Sequence, residues 1–295
     1  MVLYFAKSSE GWILSLPLWF DLITIILVTS FSHNDLQSQI TPFSSAYNAG
    51  LLSSDRFDSR YDAPLLQPAI LPDVEHPGIS ANVRSHFPGF GIFALGLNYL
   101  TSLPGHFGLG LSVQSIGAAD YHDSQVVLSI GRKLNATTGI GISQRFARSR
   151  IGNEGRPVRG STSVGLSYDS GNWGMGLLLE GLMPWNMAEN FHPFRVYGSS
   201  YFSWQPGTRL YLLLGYMDAQ WTPVIGLRQT LLRNIAIYGA FRIFPARFSA
   251  GLSLPFSPRI LAQISVENHP VLGWSPAVGL NWKLSDSDQK SSFRE

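Results

Sequence analysis

Large apolar residues alternate with glycine and small polar residues in the stretch GHFGLGLSVQS, from Gly105 to Ser115. This period of two predicts a β-strand whose two faces meet different surroundings. In a soluble antiparallel sheet the second face meets water and usually carries charged residues or threonine. Here that face carries glycine, serine and glutamine, so a strand in water does not explain the stretch.

The composition supplies a reason for this pattern, because the chain has too few charges to cover a sphere in water. Only 14% of its residues are charged, against about 25% in ordinary soluble domains. Hydrophobic residues make up 45% of the chain and aromatic residues 13%. There are 29 glycines, where average usage would give roughly 21. Both enrichments fit β-structure in contact with lipid.

Several classes of function lose support at this level. A net charge of +2 without a basic run interleaved with aromatics gives no indication of nucleic-acid binding. The chain has no cysteine, which excludes disulfides, thiolate metal sites and a cysteine nucleophile.

Alternation repeats from Pro77 to Leu284, and each repeat is roughly fifteen residues long, as for strands of about ten residues joined by turns. This predicts an all-β fold, a transmembrane antiparallel β-barrel of about 14 strands. The approximate strands are 77–86, 90–100, 105–116, 124–134, 137–148, 160–168, 172–182, 195–204, 208–217, 219–229, 233–242, 246–254, 258–268 and 273–284.

The joints between these strands and the aromatic residues at their ends agree with a barrel. The longest joints, 149–159 and 183–194, fall in the set that would face outward, while inner joints such as Asn135-Ala136 are very short. An interfacial aromatic girdle is predicted at Tyr99, Tyr168, Trp173, Trp204, Tyr216, Trp221 and Trp282.

Three further segments flank the barrel. Residues 1–32 are predicted to be a signal peptide, with Lys7 before an apolar run and a small-x-small cleavage site at Ser30-Phe31-Ser32. As an alternative transmembrane helix the run is short and Asp21 interrupts it. Residues 33–76 are expected to form a periplasmic plug segment, and residues 285–295 a polar tail.

Charged residues in the plug segment suggest a short helix. Carboxylates and arginines recur at helical spacing after Ser53 and Ser54, which could cap the helix. The calcium-loop pattern is missing, so a solvated helical face with ion pairs is favoured over a metal site. The residues concerned are Asp55, Arg56, Asp58, Arg60 and Asp62.

No catalytic, cofactor or metal site is predicted. The chain has no nucleophile elbow, phosphate-binding loop or zinc-protease motif, and its seven histidines are not paired at ligand spacing. A barrel hydrolase that uses serine with histidine stays open as an alternative, because such residues meet only in space.

Eight charged residues fall on the face opposite the lipid, where charge is less costly than in hydrocarbon. They could form a filter or docking ring for an anionic group. Alternatively, they pair with the plug segment or with each other and brace the lumen. Four lie near predicted inner ends and four near outer ends: Lys133, Arg209, Arg228 and Lys283, then Arg145, Glu180, Arg242 and Glu267.

Several stretches, spread over most of residues 40–284, resemble the PorV/PorQ type of outer-membrane barrel from type IX secretion systems, a relative of the FadL fold. The late stretch ENHPVLGWSPAVGLNWKL is similar to that group's closing hairpin. The early stretches AYNAGLLSSDRF and LLQPAIL are similar to its leading segment. One departure is that the last strand ends Trp282-Lys283-Leu284 and a polar tail follows it, rather than ending at an aromatic residue.

The resemblance implies a non-enzymatic component of the bacterial outer membrane. Its expected partners are outer-membrane lipid and other secretion-system or cell-surface proteins, engaged through loops 149–159 and 183–194. A second hypothesis is a FadL-like channel for hydrophobic small molecules, with the leading segment as a hatch. A soluble β-sandwich or adhesin is third, and the low charge argues against it.

Overall fold

A computed structural model describes most of the chain between Ser45 and Leu284. The predicted signal peptide, the first part of the predicted plug segment and the polar tail lie outside the described residues. Among the described residues no helix is both long and apolar enough to cross a bilayer. The described ranges are 45–57, 60–86, 88–118, 121–152, 154–155, 158–185, 194–217, 220–231, 235–270 and 273–284.

Fourteen strands form a closed antiparallel barrel, which confirms the predicted fold. Each strand of the ring pairs with its neighbours along the chain, and β1 pairs with β15 to close it. The short β6 pairs only with β5 and is not part of the ring. The strands are β1 Gly78–His86, β2 Ile92–Leu103, β3 Phe107–Ala118, β4 Tyr121–Lys133, β5 Thr138–Ile151, β6 Glu154–Gly155, β7 Arg159–Asp169, β8 Trp173–Trp185, β9 Arg195–Gln205, β10 Thr208–Met217, β11 Gln220–Thr230, β12 Ala236–Arg242, β13 Arg247–Pro255, β14 Ile260–His269 and β15 Gly273–Lys283.

Closure gives every strand two partners, so the ring has no edge with unpaired backbone groups. The alternation of β3 then has a direct physical meaning. Leu109 and Val113 are exposed on the outer surface, where lipid would cover them, and Ser112 and Gln114 are buried on the lumen side. The other strands repeat this pattern of exposed apolar and buried small or polar residues.

The barrel has two ends, which we name the proximal rim, where β1 begins, and the distal rim, where β1 ends. Proximal connections are short, as at 104–106 and 206–207, whereas the longest connections, 152–158 and 186–194, lie at the distal rim. The predicted girdle residues lie on the outer surface, five of them towards the proximal rim. The other two, Tyr216 and Trp221, stack at the distal rim with ring centroids 4.9 Å apart.

The described residues before β1 are 45–57 and 60–76, and we call them the plug. They contain helix α1 (Ala46–Gly50), a 3₁₀ turn (Arg60–Asp62), helix α2 (Ala63–Leu66) and a longer 3₁₀ helix (Pro68–Asp73). Ser45 caps α1, because its side chain accepts a hydrogen bond from the Asn48 amide. Prolines inside the 3₁₀ helix limit its regularity, so this part of the plug stays compact and irregular.

Candidate functional site in the barrel lumen

The plug lies inside the ring of strands and fills its lumen. Its apolar residues are almost completely buried: Leu51 and Leu71, for example, are 0% exposed. They form one core with inward-facing side chains of the wall, and the ring of Tyr47 meets that of Tyr238 edge-on at 4.8 Å. The hydrophobic core of this protein is therefore the contact between plug and barrel.

Glycines of the wall allow the plug backbone to approach the strands directly. A Cβ atom added at Gly108 would lie 2.3 Å from the Leu71 carbonyl group, and one at Gly131 would lie 2.3 Å from the Pro68 carbonyl oxygen. At Gly110 it would lie 2.4 Å from the Pro64 ring. Any side chain at these positions would collide with the plug, which explains the row of glycines on the lumen face of β3 and β4.

Several polar groups of the plug form hydrogen bonds with the wall. The Gln67 side-chain amide donates to the Leu166 carbonyl at 3.1 Å, and Ser129 donates to the Pro64 carbonyl at 2.7 Å. Ser249 donates to the Gly50 carbonyl at 2.8 Å on another side of the lumen. Since a buried carbonyl without a donor is costly, these bonds fix the position of the plug.

A network around Asp62 connects the plug with β1, β2 and β3. Its carboxylate accepts from the Asn48 side chain at 2.5 Å, from Asn98 of β2 at 3.1 Å and from Ser45. Asn98 in turn accepts from Ser112 of β3 at 2.6 Å. Each of these five residues is at most 1% exposed. The network buries a carboxylate among specific donors, so it holds α1 and the 3₁₀ turn in one register with the wall.

The predicted helix in the plug is not formed, and the structure gives its charged residues different positions. Residues 55–57 are irregular, Arg60 and Asp62 lie in a 3₁₀ turn, and Asp58 lies outside the described residues. Asp55 is buried, and its carboxylate accepts from the Phe57 amide and the Tyr47 hydroxyl, both at 2.8 Å. Helical spacing alone does not show whether a barrel encloses a segment, so the sequence predicts a solvated face where the structure buries Asp55.

Arg56 and Arg60 illustrate two environments in the plug. Arg60 forms an exposed ion pair with Glu75 at 3.4 Å. Arg56 is buried: its guanidinium donates to the Leu66 carbonyl at 2.6 Å and stacks on the Tyr197 ring, 4.2 Å from the centroid. Burial lowers the pKa of Arg56 from its ordinary value. Arg56 thus links the irregular residues 55–57 of the plug to helix α2.

The structure places the eight predicted wall charges on the lumen face of their strands, and it separates them into groups. Near the proximal rim Lys133 pairs with Asp73 of the plug, and Arg209 stacks on Tyr201 with its guanidinium 4.8 Å from the ring centroid. Arg228 is partly buried, and Lys283 is exposed at the end of β15.

Near the distal rim the charges form two buried clusters. Glu267 pairs with Arg84 at 2.5 Å and with Arg247 at 3.1 Å. On another side of the lumen, Arg145 and Glu180 approach to 3.7 Å. The sequence analysis did not select Arg84 and Arg247, although their inward phase on β1 and β13 was a usable signal.

A small cavity lies between the plug and the wall at the distal rim. Its volume is about 50 Å³, and its lining mixes leucines of the plug with charged and apolar residues of β5 and β8 to β12. A wider cleft of about 510 Å³ lies at the proximal rim, between the end of the plug and the β2–β3 turn. No group of three or more acidic or histidine side chains in the described ranges could hold a metal ion.

Comparison with known proteins identifies the fold. No family model matches the chain, and no curated protein matches it in sequence. Among solved structures, the CymD monoaromatic hydrocarbon channel superposes with a TM-score of 0.64 at 10% identity, over 82% of this chain and 98% of that one.

Two further solved structures give the same result. The Ralstonia pickettii toluene transporter TbuX has a TM-score of 0.64 at 8% identity, over 82% of this chain and 98% of that one. A Pseudomonas aeruginosa FadL homologue has a TM-score of 0.61 at 8% identity, over 83% and 99%. At such identities the likeness concerns the fold alone, and the chain has a FadL-like β-barrel fold.

Proposed function

We propose that this chain is a gated passage for small hydrophobic molecules across the bacterial outer membrane, and that the plug is its gate. The observation that carries the proposal is a closed ring whose lumen is filled by a separate segment of the same chain. Similar structures described as toluene transporters and as a monoaromatic hydrocarbon channel support it.

The contacts of the plug fit a gate. It is held by side-chain hydrogen bonds, one proximal ion pair and van der Waals contact, and no strand of the wall pairs with it in the described residues. Such contacts can be exchanged without breaking the ring of strands, so the plug can shift while the barrel stays closed.

The secretion role that the PorV/PorQ resemblance implies has no support of this kind. None of the structures reported above is described as a secretion component, and the motifs that carry the resemblance, in the plug and in the last hairpin, are short. One experiment separates the two roles, because a gated passage requires the plug to move and a secretion scaffold does not.

A cross-link across the Lys133–Asp73 ion pair tests the gate. The chain has no native cysteine, so Asp73→Cys with Lys133→Cys can be bridged specifically by a short bifunctional thiol reagent. Cells with the protein in their outer membrane should take up a radiolabelled neutral aromatic such as toluene, and bridging should stop this uptake. The two single-cysteine variants, treated in the same way, are the controls.

Two outcomes would contradict the proposal. If uptake of toluene equals that of cells without the protein, the chain is not a passage for neutral hydrophobic molecules. If the bridged and unbridged proteins transport toluene equally fast, the passage does not depend on movement of the plug at its proximal end.

A further inference from the structure

The lining of the distal cavity carries more positive than negative charge, and a neutral hydrocarbon could not compensate the excess. Four arginines line it, and Glu180 is the one acidic residue among the described lining residues; Glu267 lies close enough to attract Arg242 but already pairs with Arg84 and Arg247. Arg145 already pairs with Glu180, and Arg56 is held by the Leu66 carbonyl and the Tyr197 ring. Two guanidinium groups remain, those of Arg195 and Arg242.

The guanidinium groups of Arg195 and Arg242 make no hydrogen bond or ion pair with any residue that the structure describes. The Nε atom of each is buried and has no acceptor. A guanidinium group that is withdrawn from water without a hydrogen-bonded counter-charge is unfavourable, and a bound anion would relieve this. The two arginines come from different strands, at the first residue of β9 and the last residue of β12, and they meet at one cavity.

The rest of the lining is mostly apolar, with Ser53 and Thr222 as further polar residues, and the cavity is small. Leu52 and Leu65 of the plug face Leu213 and Met217 of β10 across the cavity. Its volume of about 50 Å³ is a third of the ~150 Å³ that accommodates benzene in an engineered cavity, so a ring does not fit in the closed state. A carboxylate group does fit, and guanidinium groups bind carboxylates with charge-assisted hydrogen bonds.

We propose that Arg195 and Arg242 form a binding site for the carboxylate of a compact organic acid, such as an aromatic acid. This inference rests on the proposed function and narrows its substrate class. The acid enters at the distal rim, where its carboxylate lies between the two arginines. Its apolar body replaces Leu52 and Leu65 against Leu213 and Met217 when the plug shifts.

Binding of 4-ethylbenzoate and of its neutral isostere 4-ethylbenzamide to the full-length protein in detergent tests the site. Equilibrium dialysis should give at least about tenfold tighter binding for the acid, because charge-assisted hydrogen bonds are stronger than neutral ones. The double variant R195Q/R242Q should bind both compounds equally weakly. Arg150→Gln is the matched control, since Arg150 is exposed on the outer face of β5 near the same rim.

A charge-preserving variant separates loss of the site from loss of the fold. R195K/R242K should keep most of the preference for the acid, and heat-modifiable migration on a gel should report a folded barrel for each variant. Equal binding of acid and amide by the wild-type protein would overturn the proposal. An unchanged preference in R195Q/R242Q would also overturn it.

The failure of this inference can be distinguished from failure of the proposed function. Toluene uptake without any preference for 4-ethylbenzoate over 4-ethylbenzamide would support the passage and refute the acid site. Preferential and arginine-dependent binding of ethylbenzoate without toluene uptake would support the acid site and remove the passage for neutral molecules.

Discussion

A methyl group at Gly141 should displace the plug while leaving the barrel wall intact. An added Cβ would lie 2.4 Å from the Pro68 carbonyl carbon and 2.5 Å from the Ala69 nitrogen. Carbon atoms in ordinary contact are about 3.5–4.0 Å apart, so the overlap is about 1 Å. Both contacted atoms belong to the plug backbone, and no side-chain rotation can relieve the overlap.

The expected cost follows from this geometry. Overpacking of a well-packed core costs about 1–3 kcal/mol, and here the plug bears it because the wall is held by strand pairing on both sides. A free-energy change of this size corresponds to about 5- to 150-fold in an equilibrium constant. In Gly141→Ala the amides of Gln67 and Ile70, which donate within the plug at 3.1 and 3.2 Å, should therefore exchange faster by about this factor.

Hydrogen exchange followed by mass spectrometry provides the measurement, and Gly198→Ala provides the control. Gly198 is also inside a strand, but an added Cβ there would have its nearest neighbour, the Leu214 carbonyl oxygen, at 4.0 Å. That variant should leave exchange in the plug unchanged. Equal exchange of residues 63–73 in the two variants would refute the view that these glycines exist to accommodate the plug.

Three other substitutions give expected outcomes. Asp62→Ala should destabilise the closed plug by about 1–3 kcal/mol, because the buried amides that donate to this carboxylate lose their acceptor; unchanged proteolysis of the plug would contradict this. Glu267→Gln removes the charge that compensates two buried arginines, and we expect a loss of about 3–5 kcal/mol, seen as a lower temperature of heat-modified gel migration. Ser53→Gly relieves a left-handed backbone conformation, φ 60°, and should slow exchange in the plug by a few-fold; faster exchange would argue against strain there.

The strands of the wall could be predicted from sequence because the alternation of side chains along a strand is a local property. Side chains alternate with a period of two along every strand, so the phase of Leu109 and Val113 fixes that of Ser112 and Gln114. Each predicted strand overlaps an observed one, and the ends differ by three residues or fewer. The inward phase of Arg145 or Glu267 follows from the same rule, without any knowledge of a partner.

The plug could not be predicted in this way, because its structure depends on contacts with residues far away in sequence. Asp62 accepts a hydrogen bond from Asn98, and Gln67 donates one to the carbonyl group of Leu166. Local spacing favours a solvated helix, whereas the barrel encloses three of its charged residues, Asp55, Arg56 and Asp62. The row of glycines on β3 was visible in the sequence, but only the structure shows that the Pro64 ring and the backbone around Leu71 occupy the space they leave.

The plug is held unevenly, and this unevenness coincides with the distal cavity. Most of residues 63–73 lie in close contact with glycines of the wall, and Leu65 and Leu66 reach the distal cavity. In residues 51–56, Ser54 also lies against a wall glycine, Gly226, but Leu52, Ser53 and Arg56 line the cavity together with larger wall side chains such as Tyr197 and Leu213. In this part Leu52 and Ser53 both have positive φ angles, 49° and 60°, which residues other than glycine adopt only at an energetic cost. This strained segment lies beside the cavity and beside two arginines without a hydrogen-bonded counter-charge, so it is the part of the plug that a ligand in the cavity displaces first. The acid site is therefore placed at the segment that moves first, and residues 63–73, which lie against glycines of the wall and pair with Lys133, must follow before the passage opens at the proximal rim.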